Sequence, residues 1–173
     1  MKLTKFFKQQ VQKWNEENKC GHCYEFHAPL TEEALNKQQL IDPCCIQVML
    51  TRDRGQAFGV EKEYNNVLGV LSNEYYTKAF TLYVMKPQGI NINNYDEILG
   101  HSIDESKSEL LDDLEECINE MELDFCEFIG QDWQVRQWSA FQLLNYRDNN
   151  YTGWRLSVTL RKRKGLNKKV PTI

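Results

Sequence analysis

The chain lacks most of the short motifs that announce a chemistry. It has no Gly-x-x-x-x-Gly-Lys phosphate loop, no Gly-x-Gly-x-x-Gly dinucleotide fingerprint and no Gly-x-Ser-x-Gly elbow, so neither nucleotide binding nor α/β-hydrolase catalysis is signalled. Its three histidines are too few and too scattered to suggest a catalytic dyad. No run of about eighteen apolar residues occurs, which excludes a membrane-spanning helix. Met1-Lys-Leu-Thr-Lys-Phe-Phe-Lys is basic but has no unbroken apolar core and no small-residue cleavage site, so a secretory signal is not expected. On that footing the six cysteines are expected to be thiols in a reducing cytoplasm. There are no internal repeats, no low-complexity tract and no linker, and 173 residues suit one domain with a real core. A net charge of −4 argues against general nucleic-acid binding.

What is present is periodicity. Leu3, Phe6, Phe7, Gln10, Val11 and Trp14 recur at helical spacing, predicting an amphipathic helix over 3–18. Its aromatic stripe serves either the domain's own sheet or another subunit. Residues 23–28 alternate like a strand, and Thr31 caps a short helical turn over 31–36. Residues 44–51 read as a buried strand closing at Arg52-Asp-Arg-Gly55. Residues 64–72 fit either strand or loop. A long strand spans 74–86 and ends at Lys86-Pro-Gln-Gly89, after which Asn-rich residues 90–100 make a loop.

Ser102 or Asp104 opens the main helix, which runs to about Phe128. Leu110, Leu111, Leu114, Cys117, Ile118, Met121, Phe125, Phe128 and Ile129 form its apolar stripe, and carboxylates including Asp112, Glu116 and Glu120 crowd the other face. With no cluster of histidine ligands beside them, these acids read as a charged surface rather than a metal or glycosidase site. Residues 134–146 are a strand, Asp148-Asn-Asn150 and Gly153 supply a turn, and Trp154, Leu156, Val158 and Leu160 alternate with Arg155, Ser157, Thr159 and Arg161. That is a hairpin whose last strand has one wet face. A short basic tail over 161–173 follows, beginning with Arg161, Lys162, Arg163 and Lys164.

Cys20-Gly-His-Cys23 has the spacing of a redox dithiol, but such a motif opens a helix whose N-terminus lowers the thiol pKa, and here it follows one. Zinc is the other chemistry this spacing allows: Cys20 and Cys23, completed by one of Cys44 and Cys45 and by His22 or His27, are the candidate ligands, with Cys44 and His27 the ones singled out. The third possibility is that the cysteines are small buried hydrophobes. A zinc-stabilised binding module and a thiol enzyme therefore stand as alternatives.

The element order is that of an α+β domain, with a single antiparallel or mixed sheet flanked by helices. Over residues 133–170, the strand Gly153-Trp-Arg-Leu-Ser-Val-Thr-Leu-Arg161, entered through its Asn-rich turn, resembles the tail-terminator, tail-completion and neck-ring proteins of tailed bacteriophages. The resemblance implies a non-enzymatic virion protein, assembled in the host cytoplasm, that forms a homo-oligomeric ring between capsid and tail. Its partners would be further copies of itself and the portal or neck and tail proteins, with at most transient contact with the packaged DNA. No cofactor, metal or membrane is implied. Contacts between copies are expected at Trp14, Trp138 and Trp154, and between the basic tail (Arg161, Lys162, Arg163, Lys164) and the acidic helix (Asp112, Glu116, Glu120).

Overall fold

The computed structural model describes residues 2–28, 44–88, 93, 95–99, 105–146 and 151–165. The sequence readings at 31–36, most of 90–100, Ser102 and Asp104, the turn at 148–150 and the end of the basic tail from 166 lie outside those residues.

Helix α1 (Leu3–Glu16) forms where the 3.6-residue pattern predicts it and buries Leu3, Phe6, Phe7, Gln10, Val11 and Trp14. It stops because the chain turns left-handed. Asn18 and Cys20 both have φ of 50° and Gly21 has φ of 72°, so the backbone reverses through a 3-10 turn at Lys19–Gly21. Asn15 then fixes the exit. Its Nδ2 donates to the Tyr24 carbonyl and its Oδ1 accepts from the Tyr24 N–H, each at 2.9 Å.

Strand β1 (Tyr24–His27) pairs in parallel with β2 (Ile46–Tyr64), and β2 pairs antiparallel with β3 (Leu71–Pro87). After a short helix α2 (Tyr95–Ile98) comes the long α3 (Glu105–Ile129), then β4 (Trp133–Tyr146) and β5 (Tyr151–Arg163). Among the described residues the five strands lie in the order β1-β2-β3-β5-β4, so the last hairpin enters the sheet through β5 and leaves β4 at an edge. This is a single mixed sheet in an α+β fold.

Both α1 and α3 cover one face of that sheet. Leu110, Leu114, Cys117, Ile118, Met121, Phe125 and Ile129 of α3 meet Ile46, Val48 and Leu50 of β2, Phe80, Leu82 and Val84 of β3, and Leu156, Val158 and Leu160 of β5. Phe125 is central: its ring lies 5.4 Å from Phe6, 5.7 Å from Phe80 and 5.6 Å from Trp138, centroid to centroid. Each such buried side chain stabilises the fold by about 1.5–3 kcal/mol. A smaller cluster of Met49, Tyr83, Met85 and Tyr151 packs on the opposite face.

Two strand readings need correction. The segment Arg52-Asp-Arg-Gly55 does not end β2. The register shifts between Thr51 and Gln56 and pairing resumes through Tyr64, because an irregularity in one strand absorbs turn-like residues without ending the ladder. Likewise the basic tail does not begin at Arg161. Arg161, Lys162 and Arg163 still pair with Thr77, Tyr76 and Tyr75 of β3, since the ladder to a longer neighbour continues after the apolar alternation stops.

Arg136 on β4 reaches Glu61 on β2, Nη2 to Oε1 at 3.6 Å, across β3 and β5, a span of about three strand spacings of about 4.8 Å that two long side chains largely bridge.

Candidate interaction surface

The β2–β3 hairpin is longer than its neighbours. Strand β1 pairs only with Ile46–Met49, and the β3–β5 ladder reaches only Tyr75. The Glu74 carbonyl still accepts from the Lys164 N–H at 2.8 Å, and beyond Glu74 the hairpin has only itself for backbone pairing among the described residues. Its turn is nevertheless built. The Asn65 side-chain oxygen accepts from the N–H groups of Val67 and Leu68 at 2.9 and 3.2 Å, an Asx turn. The Asn65 N–H donates to the Val70 carbonyl and the Gly69 N–H to the Asn65 carbonyl, both at 2.8 Å. Gly69 has φ of 62°, a conformation only glycine takes freely. Ser72 Oγ donates to the Glu63 carbonyl at 2.8 Å.

This ordered turn displays apolar side chains to solvent. Val67 is 90% exposed and Leu68 72%, and Tyr64, Val70 and Leu71 next to them in the chain are exposed, as are Phe58 and Val60 further down β2. Scattered surface apolar residues need no explanation, whereas several gathered at one ordered turn make it a candidate interaction surface. Sequence reading missed it by leaving 64–72 between strand and loop. The available signal was Val67-Leu68 lying between two turn residues, Asn65 and Gly69, with Val70-Leu71 directly after them.

A second feature lies in the helix layer. Phe128 and Ile129 at the end of α3, Trp133 at the start of β4, and Lys2, Lys5 and Gln9 along α1 enclose a cavity of about 450 Å³ with an apolar floor and a basic rim.

The predicted contact residues are distributed differently. Trp14 is a correction: it is 1% exposed and packs 5.2 Å from the Tyr24 ring, because α1 turns its aromatic stripe onto the domain's own sheet. Trp138 and Trp154 are half-buried against the same core. The Trp154 indole N–H donates to the Leu111 carbonyl at 3.0 Å, tying β5 to α3. Asp112 lines a cavity of about 340 Å³ beside Trp154. Glu116 and Glu120 both face Lys19 of their own chain, at 3.8 and 2.6 Å. In the basic segment, Arg161 stacks 4.5 Å over Tyr75, Lys162 lies 3.9 Å from Asp132 and Lys164 3.2 Å from Glu74, while Arg163 is exposed.

The cysteines hold another correction. Cys23 and Cys45 form a disulfide with their Cα atoms 4.7 Å apart, so six thiols were not the outcome. The parallel β1–β2 pairing, with the Ile46 N–H donating to the Cys23 carbonyl at 2.8 Å, sets the two residues side by side. Cys20 lies elsewhere, against Asp113 and Glu116. Burial first, then the Asp113 charge, pushes its thiol above the ordinary value, the reverse of an activated redox cysteine. Cys44 is exposed, and His27 meets Gln47 at 2.6 Å and Glu25 at 3.5 Å. The candidate ligands are thus not brought together, and no group of three or more His, Cys, Asp or Glu able to hold a metal occurs among the described residues.

No family model matches this chain, and neither does any curated protein.

Proposed function

We propose that the chain is a structural subunit of the phage head–tail joint, a tail-terminator or neck-ring protein that works by geometry rather than by chemistry. The observation that carries this reading is the ordered, projecting hairpin tip with Val67 and Leu68 held outward. A turn already closed by Asn65 loses little conformational freedom on docking, so its apolar area is spent on contact rather than on ordering. A tip that meets a different surface on the next copy makes a heterologous contact, and such contacts close into rings when the rotation permits. Repeated around an axis, the subunits would match a portal or neck assembly to a tail. The α+β layout and the Gly153–Arg161 strand agree with the resemblance to those virion proteins.

The test is assembly. Native mass spectrometry and electron microscopy of the purified chain, alone and with portal or neck proteins, should show a ring, and the double change Val67→Asp with Leu68→Asp should leave folded monomers. A chain that stays monomeric under all these conditions overturns the proposal.

A further inference from the structure

We infer that the hairpin tip of one copy seats in the basic-rimmed cavity between α1, the end of α3 and the start of β4 of a second copy. This assignment rests on the ring reading above and goes beyond it by naming the surface that receives the tip.

Three observations converge on it. The first is chemical type. The cavity has an apolar floor of Phe128, Ile129 and Trp133 and encloses about 450 Å³, room for a pair of aliphatic side chains such as Val67 and Leu68. The second is charge. Lys2 and Lys5 stand on the cavity rim and, among the described residues, no acidic side chain lines it. Of the hairpin's carboxylates, Glu61 faces Arg136 and Glu74 faces Lys62 and Lys164 of the same chain, so the acidic charge offered beside the tip is that of Glu63. Glu63, adjacent to the tip, is exposed. An apolar plug with an acidic flank therefore meets an apolar socket with a basic rim, and such complementarity sets register and partner choice. The third is placement. Val67 and Leu68 are 90% and 72% exposed, so they do not occupy the cavity of their own chain. Plug and socket are different surfaces of one protein, which makes the contact heterologous and able to propagate around an axis.

The experiment uses the full chain with a photo-cross-linking amino acid at Leu68. Irradiation should give covalent dimers whose joined peptide contains residues 128–133 or 2–9. The reciprocal probe at Gln9, on the cavity rim, should join to residues 60–71. Charge reversal supplies an independent arm: Lys2→Glu with Lys5→Glu should weaken self-association about tenfold, and adding Glu63→Lys should recover most of that loss. All three sites are exposed, so folding is expected to survive, and a thermal melt confirms it. Rings that form normally while both probes join to other surfaces overturn the socket and leave the ring reading standing. An unaltered assembly after Val67→Asp with Leu68→Asp removes the tip from the contact and overturns the socket, whereas an unaltered chain that stays monomeric overturns the ring reading with it.

Discussion

Gly153 shows how one missing side chain sets a strand spacing. It pairs with Met85 of β3 and Leu143 of β4. A Cβ placed there would collide with the Val84 carbonyl oxygen and come within 2.6 Å of the Met85 Cα. Those are backbone atoms of the adjacent strand, so no rotamer change relieves the clash. Gly153→Ala is expected to lower stability by about 2 kcal/mol or more, read as a shift in the denaturant midpoint, whereas Gly59→Ala, whose Cβ meets only Thr77 Oγ1 at 3.3 Å, should be far milder. The cysteines yield a second expectation at this scale. Cys117 is fully buried, and burial pushes its thiol up to about 12, so it should resist alkylation at neutral pH. Cys44 and Cys126 are exposed and should react. Cys23 and Cys45 should react only after reduction. Mass spectrometry of native protein alkylated with and without reductant checks the whole pattern, and native labelling of Cys23 without reductant would remove the disulfide.

The two helices are joined at the element scale by a polar clamp. Asp124 of α3 accepts from Gln10 Nε2 at 2.8 Å and from Lys13 Nζ at 3.2 Å, both on α1. The Gln10 hydrogen bond first, and then Lys13, hold its carboxyl below the ordinary 3.8. The folded state therefore binds this proton more weakly than the unfolded chain does. The stabilisation is fully present above the unfolded value and is lost as pH falls through the folded one. Asp124→Asn should flatten the acid limb of the stability–pH curve below about pH 4 while leaving the neutral region parallel to wild type; because Asp124 also raises the Lys13 ammonium, the change should flatten the alkaline limb as well. An unchanged acid limb would mean the clamp does not act. The apolar stripes of α1 and α3 and the alternation from Trp154 to Leu160 were legible in the sequence, because local periodicity reports which face of an element is buried. What covers that face was not legible, and so Trp14 was open to being assigned to a neighbour. The continuation of β2 past Gly55 was hidden because a register shift breaks alternation. The Cys23–Cys45 pairing and the edge position of β4 depend on long-range order, which no local pattern encodes.

Across the whole molecule, the charge asymmetry of the sequence turns out to be partly spent within the chain. Lys19 faces Glu116 and Glu120, Lys13 meets Asp124, Lys162 meets Asp132, Lys164 meets Glu74 and Arg136 meets Glu61. These pairs are solvent-accessible and individually contribute about 0–1 kcal/mol, but they leave fewer unmatched charges to drive one copy onto another. The exposed apolar tip has no such internal partner among the described residues, so it supplies the larger share of any association energy. The two sources respond differently to salt. At about 0.5 M ionic strength exposed charges more than about 4 Å apart are largely screened, whereas apolar burial is not weakened. An assembly driven by a basic segment on an acidic helix would fall apart steeply between about 0.05 M and about 0.5 M salt. One driven by Val67 and Leu68, with charges only setting register, should lose no more than about tenfold in affinity over that range, and should show the negative heat-capacity change of apolar burial. Analytical ultracentrifugation across the salt series, paired with calorimetry of dissociation at several temperatures, separates the two. A steep salt dependence with no heat-capacity change would return the contact to the charged surfaces and leave the hairpin tip without a role in assembly.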